Sequence, residues 1–173
     1  MLDRRWIELT RCGKCVLADT RRNLLVGTGD TPADILVIGE CPDKGEDLIG
    51  RGLIGETGKL MSRMWDDAGL SRYRSYHTFV TMCRPTDKKG GDSRDPRPEE
   101  ILMCMGNVMT LVDLLKPRAY VLIGDEAKKY YRKSFPSAVC ILSPVFLNKT
   151  GGTKSSHYLR TIHALEEICL LLS

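Results

Sequence analysis

ADILVIGE, residues 33–40, is an almost unbroken apolar run rich in β-branched side chains. A strand that reads this way is covered on both faces, because a solvated face would put a polar residue at every second position. The run ends at Gly39-Glu40-Cys41-Pro42, where turn chemistry replaces it. Comparable strands are expected at RSYHTFVTM, 74–82, at AYVLIG, 119–124, and at AVCIL, 138–142. Helical spacing of apolar residues fills the intervals. Leu60, Met64 and Trp65 mark a helix over 56–69, and Pro98 followed by Glu99 and Glu100 opens another that reaches Leu115. A short helix is expected in DEAKKYYRKSF and a final one over 155–172, with a helix or extended arm at 2–11. The glycine-rich stretch DKGEDLIGRGLIGETG and the segment VFLNKTGGTKSS read as loops. Strand and helix alternating in this way predict an α/β fold, a three-layer α/β/α domain over 1–173 with a four-stranded, mainly parallel central sheet. Ligand-binding loops then gather at the strand C-termini, here 39–58, 83–97, 124–126 and 143–154.

Four cysteines stand apart from these runs. Cys12 and Cys15 form a C-x2-C pair in RCGKC, and Cys83 and Cys104 flank the polar loop TDKKGGDSRDPRP. Thiolates from separated segments hold either a zinc ion or an iron–sulfur cluster, and the spacing does not choose between them. Cys41, Cys140 and Cys169 lie in or beside apolar runs and are expected to pack as small hydrophobes.

Seven cysteines, an odd number, with no charged-then-apolar leader before them, argue against a disulfide scaffold and for a reducing compartment. The expected location is the cytoplasm of a bacterial, archaeal or phage-infected cell. No apolar stretch approaches the ~18 residues of a membrane span, so no membrane partner is expected. A formal net charge of +4, from 26 Lys+Arg and 22 Asp+Glu, is compatible with a nucleic-acid partner without requiring one. GRGLIGETGK lacks the spacing and the trailing Ser or Thr of a phosphate-binding loop, which argues against a nucleoside triphosphatase reading.

Several segments, in one order, resemble the iron–sulfur (type 4) uracil-DNA glycosylases and their phage-related relatives. They are the C-x2-C pair, IGECPDKGED, GRGLIGETGKLM, YHTFVTMCRP, RPEEILMC and VLIGDEA. The resemblance implies a [4Fe–4S] cluster on Cys12, Cys15, Cys83 and Cys104, with four-cysteine zinc as the alternative. It implies DNA as partner, single-stranded or with a flipped base, and extends to protein partners in a repair or phage complex. It places Glu40 and Asp47 in the catalytic role, and Cys41, Pro42, Leu53, Phe79 and Ser143 around the base. His77 and His157 are further candidates for that pocket. Arg84, Lys88, Lys89, Arg94 and Arg97, from the cysteine-bounded loop, would hold the DNA backbone. Three positions depart from the family pattern. Leu53 stands where the family has a stacking phenylalanine, Phe79 where it has a base-reading asparagine, and Ser143 where it has a histidine. These departures imply an altered base preference in a glycosylase, or a non-catalytic nucleic-acid-binding or docking protein that keeps the fold and cluster.

Overall fold

The computed structural model describes residues 3–173. Helix α1 spans Arg4–Thr10 and is N-capped by Asp3; residue 2, which the expected arm included, lies outside the described residues. A one-turn helix α2, Leu17–Thr20, follows the cysteine pair. Strands β2, Ile35–Gly39, β3, Ser75–Phe79, β4, Ala119–Ile123, and β5, Val139–Ile141, fall within the four apolar runs. They pair in parallel, with Val37 opposite both His77 and Val121.

The sheet has five strands rather than four. The additional strand is β1, Thr28–Gly29, antiparallel to β3 on the outer edge, which makes the sheet mixed with the order β1-β3-β2-β4-β5. Gly27 and Gly29 have positive φ, and a Cβ on either would strike the backbone of β3. A two-residue strand, Thr28 and Gly29, carries no periodicity, so it is set by tertiary pairing.

Two expected loops contain helices. Helix α3, Lys44–Ile49, opens with a capping box between Asp43 and Glu46. Helix α7, Pro144–Lys149, is capped by Ser143, whose hydroxyl accepts from the Val145 amide. The other helices are α4, Gly55–Asp67, α5, Pro98–Leu115, α6, Gly124–Tyr131, and α8, Ser156–Leu172.

Alternate residues of the strands feed two cores. Ile35, Val37, Val121 and Ile123 join Leu60, Met64, Leu165 and Ile168 from α4 and α8. Leu36, Ile38 and Leu122 join Ile101, Val108, Leu111 and Tyr131 from α5 and α6. Helices therefore cover both faces, the reason the central strands are apolar throughout. Cys41, Cys140 and Cys169 pack at the margins of these cores and are only half-buried. No helix among the described residues is long and apolar enough to cross a membrane.

Candidate functional site

The parallel strands release their chains at one edge of the sheet, and a cavity of about 90 Å³ opens there. Glu40, Cys41, Leu53, His77, Phe79 and Ser143 line it, together with Asp43, Glu46, Thr57 and Met61. Glu40 follows β2 directly and is solvent-exposed. Its carboxylate accepts a 2.6 Å hydrogen bond from the Ser143 hydroxyl. Because the Ser143 oxygen already accepts from the Val145 amide at 3.2 Å, its own proton is directed at Glu40. The carboxylate also lies over Gly124, where a Cβ would sit 2.8 Å from Oε1 and where φ is +80°. Only glycine leaves that space at that backbone angle.

The opposite wall is built by Glu46, the neighbour of the expected Asp47 and not itself marked by the sequence. Glu46 accepts from the amides of Asp43 at 3.0 Å and Leu53 at 2.7 Å. Burial pushes its carboxyl pKa upward, and the two amides oppose that shift. The second hydrogen bond holds Leu53 at φ +58°, a left-handed conformation unusual for leucine. The Phe79 ring crosses Gly52, where a Cβ would sit 2.9 Å from Cζ. At about 90 Å³ the space is smaller than the ~150 Å³ cavity that admits benzene, so a nucleobase requires a wall side chain to swing aside.

His77 shares its strand face with Phe79. Burial lowers its pKa to about 4, so the imidazole is neutral near pH 7. The unfolded chain binds that proton near pH 6.5, so stability from this residue is complete above pH 6.5 and is lost as pH falls toward 4. The shift corresponds to about 3 kcal/mol. Denaturant unfolding at pH 7.5 and 4.5 should show a His77→Leu variant losing less stability on acidification than the parent.

Five site expectations require correction. Asp47 is 1% exposed and faces away from the cavity; Oδ1 accepts from the amides of Arg22 and Asn23, and Oδ2 accepts from Arg84 Nε at 3.3 Å. Arg84, also 1% exposed, donates in addition to Gly91 O and Ser93 Oγ, so it does not reach a DNA backbone. Arg94 is engaged by Glu100 at 2.6 Å and Asp87 at 2.9 Å, an internal bracket of the loop. His157 packs edge-on to Phe146, ring centroids 5.5 Å apart, outside the cavity lining. Pro42 is buried and lines an adjoining groove instead. Arg97 remains exposed and pairs with Asp87. Lys88 and Lys89 are exposed with no ion pair among the described residues. Arg22, unmarked in the sequence, points toward this loop, its Nη2 being 3.9 Å from where a Cβ of Gly90 would be.

The four cysteines line one separate cavity, between the α1–α2 connection, the segment after β3 and α5. Hydrogen-bond donors point at three of the sulfurs: Asn107 Nδ2 at Cys12, Arg21 Nη1 at Cys83 and the Met82 amide at Cys104. Lys14 donates to Asn107, and Arg21 donates also to the Cys12 carbonyl. Burial pushes the Cys104 thiol up to about 12 and raises Cys83, with the neighbouring cysteines adding to both shifts. Buried thiols of this kind ionise only beside a strong positive charge, and a metal supplies one. The chemistry of the donor set, though not the spacing of its sulfurs, suits a metal–thiolate centre. Among the described residues, no group of three or more His, Cys, Asp or Glu side chains is gathered closely enough for a single metal ion.

A three-layer α/β domain with a carboxylate-bearing cavity at the carboxyl edge of its parallel strands is thus in place. The chain belongs to the uracil DNA glycosylase superfamily, whose family model matches residues 26–166. It is 33% identical over 138 residues to the type-4 uracil-DNA glycosylase of Archaeoglobus fulgidus, covering 80% of this chain and 67% of that protein. The namesake enzyme of Saccharolobus solfataricus is 33% identical over 127 residues, 73% of this chain and 56% of its own. That of Thermotoga maritima is 30% identical over 124 residues, 72% of this chain and 62% of its own. The matches thus span between about half and two thirds of the length of these relatives.

Proposed function

We propose that this chain is a DNA glycosylase that hydrolyses the N-glycosidic bond of a base extruded from DNA, with a base preference altered from that of the type-4 enzymes. The observation that carries this reading is the Glu40 carboxylate, held by Ser143 at the cavity on the carboxyl edge of the sheet. Breaking the bond from base to sugar leaves positive charge on the sugar, and a fixed carboxylate stabilises that charge and accepts hydrogen bonding from the incoming water. Water supplies the hydroxyl at C1′, and its proton departs with the base. Phe79 and Leu53 are the walls that yield to the flipped ring. Cys12, Cys15, Cys83 and Cys104 hold the metal centre, read here as a [4Fe–4S] cluster, which ties the N-terminal segment to α5 and takes no part in hydrolysis. Lys88, Lys89 and Arg22 are exposed cations beside this loop, without ion pairs among the described residues and placed to meet phosphates.

Oligonucleotides carrying uracil, hypoxanthine, xanthine or 5-hydroxymethyluracil should release free base from at least one substrate. Glu40→Gln is expected to lower that rate by about 100-fold or more with little change in DNA affinity. Release at the parental rate by Glu40→Gln would remove Glu40 from the mechanism. The replacement of a base-reading amide by Phe79 and of an imidazole by Ser143 supports a second reading, a non-catalytic DNA-binding protein. DNA binding without release of base from any of the four substrates would select it.

A further inference from the structure

Helix α3 has its polarity reversed. Its acids point inward, Glu46 at 7% and Asp47 at 1% exposure, while Leu48 and Ile49, at 60% and 64%, face solvent. An amphipathic helix ordinarily buries its aliphatic side chains and exposes its charges. The turn that carries the pair is nonetheless fixed. Gly50 closes it in the left-handed conformation, with its amide bonded to Glu46 O at 2.7 Å. Asn23 Nδ2 donates to the Asp47 carbonyl at 2.7 Å, and the Asp47 carboxylate is locked to Arg84. An apolar surface set in place this way loses little conformational entropy when a partner covers it. Its surroundings are cationic. Lys44 lies one turn back on the same face, Arg51 follows Ile49 by two residues, and Arg22 adjoins Asn23. Arg84 also donates to Gly91 O, which brings the loop bearing Lys88 and Lys89 beside the same end of the helix. These five cations are exposed and form no ion pair among the described residues.

Resting on the glycosylase reading above, we propose that Leu48 and Ile49 pack against unpaired bases of the DNA strand beside the extruded nucleotide, while the surrounding cations hold its phosphates. An aliphatic pair ringed by unpaired cations complements a polymer that alternates apolar ring faces with negative charge. In a closed duplex those ring faces are stacked on one another, so the surface takes single-stranded DNA or an opened base step. Glu46, on the same helix, lines the base cavity, which sets the pair next to the place where a base would enter. Two side chains on a six-residue helix are too small an apolar face to hold a membrane surface, the other partner that combines apolar and anionic character.

The test is fluorescence anisotropy of the full chain with two end-labelled probes of about 12 nucleotides, oligothymidylate and the same sugar–phosphate chain without bases. The parent should bind oligothymidylate about tenfold more tightly, the worth of partly covering two aliphatic side chains. Leu48→Ser combined with Ile49→Ser should bind both probes equally, at the parent's affinity for the base-free chain and with the parent's salt dependence. It should melt no lower than the parent, because both side chains are exposed. Leu48→Met combined with Ile49→Met should keep the preference. Arg22→Ala combined with Lys88→Ala should weaken both probes alike and flatten the salt dependence. A parent without preference, or a preference that survives in the serine pair, overturns the proposal. Binding to phosphatidylserine vesicles that the serine pair abolishes, with no thymidylate preference, makes the surface a membrane contact and overturns it too. Base release is assayed separately, on the oligonucleotides above. A preference that depends on Leu48 and Ile49, without release of any base, supports the packing role and counts against glycosylase activity alone.

Discussion

Arg84→Ala is expected to destabilise the domain by about 3–5 kcal/mol, as breaking one side of a buried ion pair generally does. Asp47 would be left charged at 1% exposure, with only the amides of Arg22 and Asn23 to hold it. Gly91 O and Ser93 Oγ would also lose their donor, so the loop between Cys83 and Cys104 would lose its anchor on the domain. Three chain segments meet at this pair: residues 22–23, helix α3 and the polar loop. Urea unfolding measures the effect, and a double variant, Asp47→Asn with Arg84→Met, should recover much of the loss because no charge is then stranded. A loss below about 1 kcal/mol in Arg84→Ala would mean the pair is hydrated rather than buried.

The second large effect is expected at the cysteine centre. With the proposed [4Fe–4S] cluster in place, Cys104→Ser should reduce bound iron and inorganic sulfide to near zero in anaerobically purified protein and remove the cluster's brown colour. Because the N-terminal segment is held across a long stretch of chain, its release should cost several kcal/mol. Limited proteolysis should then cut between α1 and α2, where the parent resists. Retention of colour by Cys104→Ser would remove Cys104 from the ligand set. A colourless parent with stoichiometric zinc would replace the cluster with a zinc centre.

The four parallel strands and most of the helices were legible because each is long enough for its apolar pattern to repeat. Of the unrecognised helices, α3 and α7 are short, yet each carries a local signal. Asp43 and Glu46 stand at capping-box spacing, and Ser143-Pro144 is an N-cap followed by a first-turn proline. Glycine content in one case and the surrounding polar residues in the other masked them. The choice of Asp47 over Glu46 shows a different difficulty. Adjacent helical residues point about 100° apart, so one acid faces the cavity while the next faces Arg84. Without the helix there is no way to tell which. Arg84 looked like a phosphate ligand because it begins a basic loop, and only the fold of that loop back over Asp47 buries it. Arg22 was invisible for the converse reason, its distance in sequence from the loop it adjoins.

The buried ion pair has neighbours on both sides that belong to different centres. Cys83 precedes Arg84 in the chain, and Glu46 precedes Asp47. Glu46 in turn fixes the backbone of Leu53 in the cavity wall. On the proposed metal reading, the cysteine centre is joined to the base cavity by a short route, through one ion pair and one turn of helix. On that reading, loss of the centre is expected to disturb the pocket without any lesion in the pocket itself.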